Sequence, residues 1–505
     1  MATYDLTQRM IPYLDRHLAF PLLAHLSEQE FFPAKQLQEA QYELARRTNM
    51  VDYSVSLFEQ LHPDEEVPEE FGSKRSNVET TNERLQKEAQ VVLDVIENPE
   101  VAQALRQDKM QNLNYLREKH NLTHEEINAL YHFGQFQYTY GNYSGAAQFL
   151  YHFLVLSTDP ELNLSAQWGK LASDILSGDW QTAKDELDRL REAIDNRSTT
   201  LVPPAAAGVG IDSASSTALA QLQGRTWYLH WSLFVYFNHP EGRHALLEVF
   251  LSPAYLNTIQ TSCPWILRYL AAAAVISRKT ATSGRIRHAV KEVVRVVQME
   301  NYQYHDPITD FLKMLFIDFD FEAAQKELGE AEKLIENDFF LQNFKDEFLD
   351  NARYFISEAY CRIHRQIDIA DLSARLNLSR EEGEKWIVNL IRDTRMGADA
   401  KIDLSRNIIV IDKPHAPVYQ SVIERTRGLS FRTQALGVAM QRRAMGEQVQ
   451  REGERRPRGE RGERGERGER GDRGERGGRD RRDRGQERDQ QEQAIPPPPP
   501  AVEVA

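Results

Sequence analysis

The sequence has 505 residues and a formal net charge of −14, with 76 acidic against 62 basic side chains. A chain of this length exceeds one ordinary domain, and its acidic balance argues against a dedicated binder of duplex DNA, because the phosphate backbone favours positively charged surfaces. The two cysteines, Cys263 and Cys361, exclude a disulfide framework and a four-cysteine zinc site and fit a reducing compartment.

The N-terminal residues show no targeting signal. Charges such as Asp5 and Arg9 interrupt every apolar stretch there, which argues against a signal peptide. The most apolar stretch of the chain, Pro264 to Ile276, contains Arg268 and is shorter than the roughly 20 residues that a spanning helix needs. We therefore expect a cytoplasmic protein without a membrane partner.

Apolar residues recur at helical spacing over most of the chain, and β-like patterns are absent before its last third. One stripe runs from Leu85 through Ala89 and Val92 to Ile96, and a longer one runs from Phe339 to Ala359. This period is typical of amphipathic helices, so the sequence predicts a mainly α fold.

A short signature recurs in the helical region: a turn residue, then an aromatic residue, then alanine three positions on. It occurs at Gly141–Ala147, Gly178–Ala183 and Phe319–Ala324. A tight helix–turn–helix needs a turn former, a bulky side chain, and a small residue where two helix axes approach. Tyr143 and Trp180 are 37 residues apart, near the period of about 34 in tetratricopeptide repeats. We predict a TPR-like solenoid of helical hairpins, with ordinary hairpins lacking a true repeat as the alternative.

The pattern changes after residue 366, where short elements of alternating type predict a winged helix. Ser379 and Glu382 form a capping box that opens the second helix of this unit. The predicted elements are a strand at Ile367–Ile369, a helix at Ala370–Leu376, a helix at Arg380–Arg395, and a hairpin of Lys401–Leu404 with Asn407–Ile411.

The end of the chain differs in composition from the rest. A last helix is predicted over Val418–Val449, where Val422, Leu429 and Leu436 lie seven residues apart and could face a partner helix. From Arg451 to Gln490 the chain holds 15 arginines, 12 acidic residues and almost no apolar side chain. Such a segment cannot offset its ordering entropy, so we expect a disordered, solvated spacer in preference to an RNA-binding arm.

These patterns divide the chain into six segments. We predict 1–198 as an N-terminal helical repeat region, 199–220 as a flexible insertion, 221–366 as a second helical region, 367–414 as the winged helix, 415–449 as a C-terminal amphipathic helix and 450–505 as a disordered tail.

Motifs for catalysis are missing. The chain has no phosphate-binding loop of the Gly-x4-Gly-Lys-Ser/Thr type and no Gly-x-Ser-x-Gly elbow. His120 and His124 are four residues apart, but the HExxH pattern is absent, so the surface start of a helix is favoured over a zinc site. Cys361 lies near His364 but follows an apolar stripe, which favours a buried structural cysteine. We expect no enzyme activity, metal, cofactor or small-molecule substrate.

The predicted winged helix favours protein docking over nucleic-acid reading, because three glutamates open its second helix and would repel phosphates. Arg392, Arg395 and Arg406 remain candidates for weak RNA contact. Trp386 is expected either to contact a partner or to pack against the first helix of the same unit.

The order of these elements resembles the PCI-domain family, which scaffolds the proteasome lid, the COP9 signalosome and eukaryotic translation initiation factor 3. Over about residues 1–440 the motifs are similar to those of the E-subunit family of that factor, while 199–220 and the tail depart from it. The motifs are Tyr4–Thr7, Leu14–Leu18, Phe20–Leu23, Thr48–Tyr53, Gly141–Ala147, Trp168–Ser173, Arg225–Trp227, His230–Val235, Asn238–Pro240, Asn337–Phe340, Cys361–His364 and Trp386–Arg392.

The resemblance implies a non-catalytic scaffold that joins other subunits of the factor, including C, D and L. It also implies a role in 43S preinitiation-complex assembly on the 40S ribosomal subunit, an indirect contact with mRNA, and a hairpin edge that pairs with a neighbour. The alternatives are a lid or signalosome subunit and a standalone RNA-binding protein. The candidate subunit contacts are Trp386, Lys401, Ile402, Ile409, Ile411, Val422, Leu429 and Leu436.

Overall fold

The structure is a computed structural model that describes residues 4–454 except 30, 97, 99–100, 102–108, 121, 201–210, 279–282, 377, 394–399, 404–405 and 412–417. Within these residues the fold is almost wholly helical, with one small sheet, which confirms the predicted mainly α class. The chain divides into two units, one that ends before residue 415 and one whose described part is the helix Val418–Glu454. The segment from 455 onward, which belongs to the tail predicted to be disordered, lies outside the described residues.

The α-helices have the following bounds. In chain order they are α1 (Thr7–Met10), α2 (Arg16–Glu28), α3 (Ala34–Arg46), α4 (Val51–Leu61), α5 (Glu69–Ile96), α6 (Lys109–His120), α7 (His124–Tyr140), α8 (Tyr143–Leu156), α9 (Pro160–Ser177), α10 (Trp180–Thr200), α11 (Ile211–Asn238), α12 (Gly242–Phe250), α13 (Pro253–Ser262), α14 (Leu267–Ile276), α15 (Ser283–Glu300), α16 (Pro307–Lys313), α17 (Phe321–Asn337), α18 (Lys345–Ile363), α19 (Ile369–Arg375), α20 (Arg380–Asp393) and α21 (Val418–Glu454).

Shorter elements complete the fold. Among the described residues, 3₁₀ turns lie at Ile11–Tyr13, Pro264–Ile266 and Gln342–Phe344, and a π-helical turn lies at Met314–Asp318. The strands are β1 (Gln366–Asp368), β2 (Ala400–Asp403) and β3 (Ile408–Ile411).

The three predicted turns share one geometry. Each places a residue in the left-handed region: Gly141 at φ 99°, Gly178 at φ 80° and Phe319 at φ 55°. The next residue caps the following helix with its side-chain oxygen, and an aromatic residue opens that helix. The caps are Asn142, Asp179 and Asp320. The alanines three positions after the aromatic residues are Ala146, Ala183 and Ala324, all fully buried. The signature therefore marks true helix–turn–helix units.

The helices from α7 to α12 pack in sequence order, each against the next, as a hairpin solenoid requires. The core of the following region is α14, in which all ten residues are buried and which packs against α12, α16 and α18. The predicted stripe of α5 also lies inside the protein, since Leu85, Ala89, Val92 and Ile96 are buried.

One segment differs from the prediction. The stretch 199–220 is not a single flexible insertion, because α10 continues to Thr200 and α11 already begins at Ile211. The alanines and the leucine between 214 and 220 favour helix, so the second half of this stretch extends α11 at its N-terminal end. Residues 201–210 lie outside the described part of the chain.

In the described part of the chain, no single helix is both long and apolar enough to span a membrane. Pro253–Ser262 and Pro264–Ile276 together are long and apolar enough, but the chain bends by 118° between them.

Candidate subunit interface

The winged helix forms as predicted, with boundaries shifted by one or two residues. Its elements follow the order β1, α19, α20, β2, β3. The capping box at the start of α20 is confirmed: the Glu382 N–H donates to Ser379 Oγ at 3.4 Å, and the Glu382 carboxylate accepts from the Ser379 backbone N–H at 3.2 Å. The three glutamates of the first turns therefore stand at the helix N-terminus, where the helix dipole favours negative charge.

Gly383 allows α20 to approach α19 closely. A Cβ atom at this position would lie 1.9 Å from Ser373 Oγ and 2.6 Å from Ser373 Cβ. Ser373 itself is buried and donates its hydroxyl to the carbonyl of Ile369. The glycine is thus required by packing, although it weakens the helix locally.

The strand order of the sheet is β1–β3–β2, with both pairs antiparallel. The prediction that Ile409 and Ile411 lie at an open hairpin edge is wrong, because β3 is the central strand. The two side chains are only 2% and 3% exposed. They build the core of the winged helix and cannot reach a partner while it is folded.

Among the described strands, β1 and β2 are the two edge strands of the sheet, and the outer side of β2 offers backbone groups for pairing. Ile411 donates its N–H to the carbonyl of Arg365 at 2.8 Å, on the β1 side. Backbone groups alternate in direction along an antiparallel strand, so Val410 faces β2 and bonds to its register partner Lys401. The backbone N–H and C=O of Ile402 therefore point away from the sheet, where a strand of another chain could pair with them.

A groove lies beside this edge, between β2 and α20, with a volume of about 390 Å³. Ile402 forms one side, and Ile387 and Val388 of α20 form another. Val388 is 45% exposed. Val388 was not among the contacts predicted from the sequence, but its apolar side chain lies out of phase with Trp386 and Ile387, which face the core, and this offset marks it as a surface residue.

Trp386 is half-buried, and its indole N–H donates to Ser357 Oγ at 3.4 Å. Ser357 belongs to α18, the last helix of the preceding region. The tryptophan therefore links the winged helix to α18 of the helical array, and contact of Trp386 with a partner stays a prediction.

The cationic candidates lie at the surface where the structure describes them. Arg392 is exposed near the end of α20, and Arg406 is exposed in the turn between β2 and β3. Lys401 is exposed on β2. Arg395 lies outside the described residues. RNA contact by these side chains stays a prediction.

The helix α21 carries large apolar side chains at the surface. Val422, Leu429 and Leu436 are 55%, 63% and 64% exposed. Their seven-residue spacing places them on one face of the helix, together with Val418, which is 76% exposed. An apolar row that recurs every seven residues along a long helix is typical of a surface that another helix covers.

The two cysteines and His124 stand where structural, non-catalytic residues are expected. Cys263 and Cys361 are buried, as predicted for Cys361, and burial raises the pKa of the Cys263 thiol. His124 is the first residue of α7, whose N-terminus Thr123 caps, which confirms the predicted helix start. No group of three metal-ligating side chains was found in the described part of the chain.

Three family models match the chain in sequence order. The model of the eIF3 subunit 6 N terminal domain matches residues 5–137, and the PCI domain matches 325–413. The C-terminal model of the E subunit of eukaryotic translation initiation factor 3 matches 417–437. The PCI match covers the winged helix and the helices that precede it.

Similar proteins of known family cover most of the chain. It is 50% identical over 469 residues to the E subunit of eukaryotic translation initiation factor 3 from Mycosarcoma maydis, covering 87% of this chain and 86% of the relative. The E subunit from Cryptococcus neoformans is 54% identical over 448 residues, with 87% and 93% covered. That from Aspergillus clavatus is 48% identical over 435 residues, with 86% and 92% covered.

Proposed function

The chain belongs to the E-subunit family of eukaryotic translation initiation factor 3 and is therefore a component of that factor; we propose that it acts there as a non-catalytic scaffold. In this role it binds other PCI subunits and helps to assemble the 43S preinitiation complex and to recruit mRNA to the 40S ribosomal subunit. Its site of action is the cytoplasm.

The exposed apolar row of α21 carries this proposal. Val422, Leu429 and Leu436 keep more than half of their surface accessible, and large apolar side chains in a row are costly to leave in water. A long helix of this kind gains stability when a partner helix covers the row. Helix-to-helix assembly is therefore the mode of binding that the chain supports best.

The edge of β2 supplies a second contact surface. The outward backbone groups of Ile402 can extend the sheet into a neighbouring subunit, and the groove between β2 and α20 can hold apolar side chains of that neighbour. Lys401 stands on the same strand and can pair with a carboxylate of the neighbour. We propose the C, D and L subunits as the neighbours at these two surfaces.

The charge distribution favours an indirect route to RNA. The tail from Arg451 to Gln490 has an excess of three positive charges, so the rest of the chain is more acidic than the total of −14 suggests. Phosphate binding rewards positive surfaces. We therefore propose that the chain reaches the 40S ribosomal subunit and mRNA mainly through protein neighbours.

A tagged full-length chain tests this function. Pulldown with mass spectrometry and gradient sedimentation should show the chain with other subunits of the factor and with 40S particles. Replacing Leu429 and Leu436 with aspartate should abolish this comigration, while Gln434→Asp on the opposite face of α21 should preserve it. Monomeric sedimentation of the unmodified chain from a lysate would contradict the proposal.

The alternative functions make different predictions. A proteasome-lid or signalosome subunit should copurify without ribosomal proteins, and the identity of the relatives speaks against that class. A standalone RNA-binding protein should bind RNA when isolated, with an affinity that falls steeply with salt. Replacing Arg392 and Arg406 with glutamine should then reduce RNA crosslinking, whereas the scaffold proposal expects little change.

A further inference from the structure

Phe319 occupies a position where the two equivalent turns of the chain have glycine. The left-handed residue is Gly141 in the turn before α8 and Gly178 in the turn before α10, whereas it is Phe319, at φ 55°, in the turn before α17. A bulky side chain is strained in this region because its Cβ approaches the following carbonyl oxygen. The turn itself does not require phenylalanine, since glycine builds the same geometry twice.

Burial does not explain the phenylalanine. Its side chain is 54% exposed, and no ring contact of it was found among the described residues. The neighbouring aromatic residues behave differently. Phe316 packs on Phe355 with ring centroids 5.9 Å apart, and Phe321 packs on Tyr360 at 5.2 Å. Phe316 and Phe321 thus pack against other aromatic rings of the protein, while Phe319 projects into solvent.

Acidic residues flank Phe319 in the sequence. Asp318, Asp320 and Glu322 lie within three residues of Phe319 in the sequence. Asp320 caps α17 with its side chain and so fixes the backbone after the ring, and Glu322 lies 3.8 Å from Arg375 with its carboxylate in solvent. The π-helical turn Met314–Asp318 directly precedes the ring, and single π turns in helices frequently mark functional sites.

We propose that Phe319 is an anchor that inserts into an apolar pocket, rimmed by lysine or arginine, on another subunit of the same complex. An aromatic side chain that fills a pocket, with polar groups around it, is the usual form of an interface hot spot. The carboxylates select a basic rim by charge complementarity. This inference rests on the proposed function as a subunit, and it explains why a strained residue stands where glycine would be more stable.

Full-length Phe319→Gly and Phe319→Asn variants test the anchor, because both residues tolerate the left-handed region. The midpoint of thermal unfolding should stay constant or rise by about 1–3 °C, since strain is relieved. In competition with the unmodified chain, incorporation into the factor should fall about tenfold or more. The matched control is Tyr302→Asn, which removes an aromatic side chain that is 79% exposed and should leave incorporation unchanged.

A photoreactive residue at position 319 identifies the pocket. We expect a crosslink to another subunit of the factor, at a peptide that contains lysine or arginine, and expect Asp318→Lys with Glu322→Lys to remove it. Equal incorporation of Phe319→Gly, or a crosslink to the chain's own tail at Arg451–Gln490, would overturn the anchor while leaving the scaffold function intact. Failure of the unmodified chain to enter the factor would overturn both.

Discussion

Trp231 donates its indole N–H to the backbone carbonyl of Tyr13 at 3.0 Å, across 218 residues of sequence. The ring of Tyr13 stacks on His230 with centroids 4.6 Å apart. The Trp265 indole donates to His230 Nε2 at 3.0 Å, so this nitrogen carries no proton, and Nδ1–H donates to the carbonyl of Thr226 at 2.7 Å. The N-terminal segment is therefore docked on α11 through a histidine that is held neutral.

The neutral His230 predicts a loss of stability in mild acid. Burial lowers the pKa of His230 to about 4, below its ordinary value of about 6.5. Between these two values the unfolded chain binds more protons than the folded chain, so the free energy of unfolding falls as the pH falls. At pH 5 the loss from this group is about 2 kcal/mol.

Urea unfolding at pH 7 and pH 5 measures this loss. His230→Gln keeps an acceptor for Trp265 and cannot be protonated, so it should reduce the difference between the two pH values. Burial also lowers the pKa of His17, which contributes in the same direction, so part of the difference should persist. An unchanged difference in His230→Gln would contradict the role of this ring.

Arg268 joins three remote parts of the chain inside the core. Its guanidinium donates to Asp306 at 2.7 Å, to Asp338 at 3.2 Å and to the carbonyl of Tyr4 at 2.6 Å, and its side chain is 3% exposed. Arg268→Met leaves two buried carboxylates without their cation. We expect a loss of about 3–5 kcal/mol at pH 7, measured by urea unfolding.

The pH dependence of this variant has a definite sign. Burial raises the pKa of Asp338, and Arg268 opposes that rise. Without Arg268 the folded pKa rises further, so stability is retained at low pH and lost as the pH rises through that pKa. The loss in free energy of unfolding caused by Arg268→Met should shrink on acidification, and adding Asp338→Asn should recover part of that loss.

The half-buried pair Arg243–Glu347 provides the control, since Arg243→Met should lower the free energy of unfolding by about 1 kcal/mol or less.

Gly383→Ala should destabilise the winged helix, because the new Cβ would overlap Ser373. We expect a loss of about 1–3 kcal/mol, as for overpacking in a core. The double variant Gly383→Ala with Ser373→Gly should be more stable than the single variant, although Ser373→Gly alone weakens α19. Thermal unfolding measures both variants.

Gly329→Ala is the control, because Gly329 is at a helical position with open space around it. This substitution should instead stabilise the protein by roughly 0.5–1 kcal/mol.

Proline at Ile402 and proline at Ile409 should have different effects on folding. Ile402→Pro removes an N–H that points away from the sheet, so the chain should stay folded but lose entry into the factor. Ile409→Pro removes a bond of the central strand to β1 and should unfold the winged helix. Thermal unfolding and copurification separate the two effects. Ile402→Val keeps the N–H and should enter normally, and normal entry of a folded Ile402→Pro chain would refute edge pairing.

Local features of this protein follow from the sequence because they depend on neighbouring residues. Gly141 predicts a left-handed turn, Ser379 with Glu382 predicts a helix start, and the burial of Ala146 follows from the space available where two helices cross. The winged helix is recognised for the same reason, since each of its elements is short and begins or ends at a residue with a clear conformational preference.

The remaining features depend on contacts between distant residues, which no local pattern encodes. The apolar side chains of β3 fit an edge or a central strand equally well, and only pairing with β1 on one side and β2 on the other makes Ile409 a core residue. In the sequence Arg268 is a charge that interrupts an apolar stretch. The tertiary structure makes it a buried cation, because Asp306, Asp338 and the carbonyl of Tyr4 converge on it and replace its water.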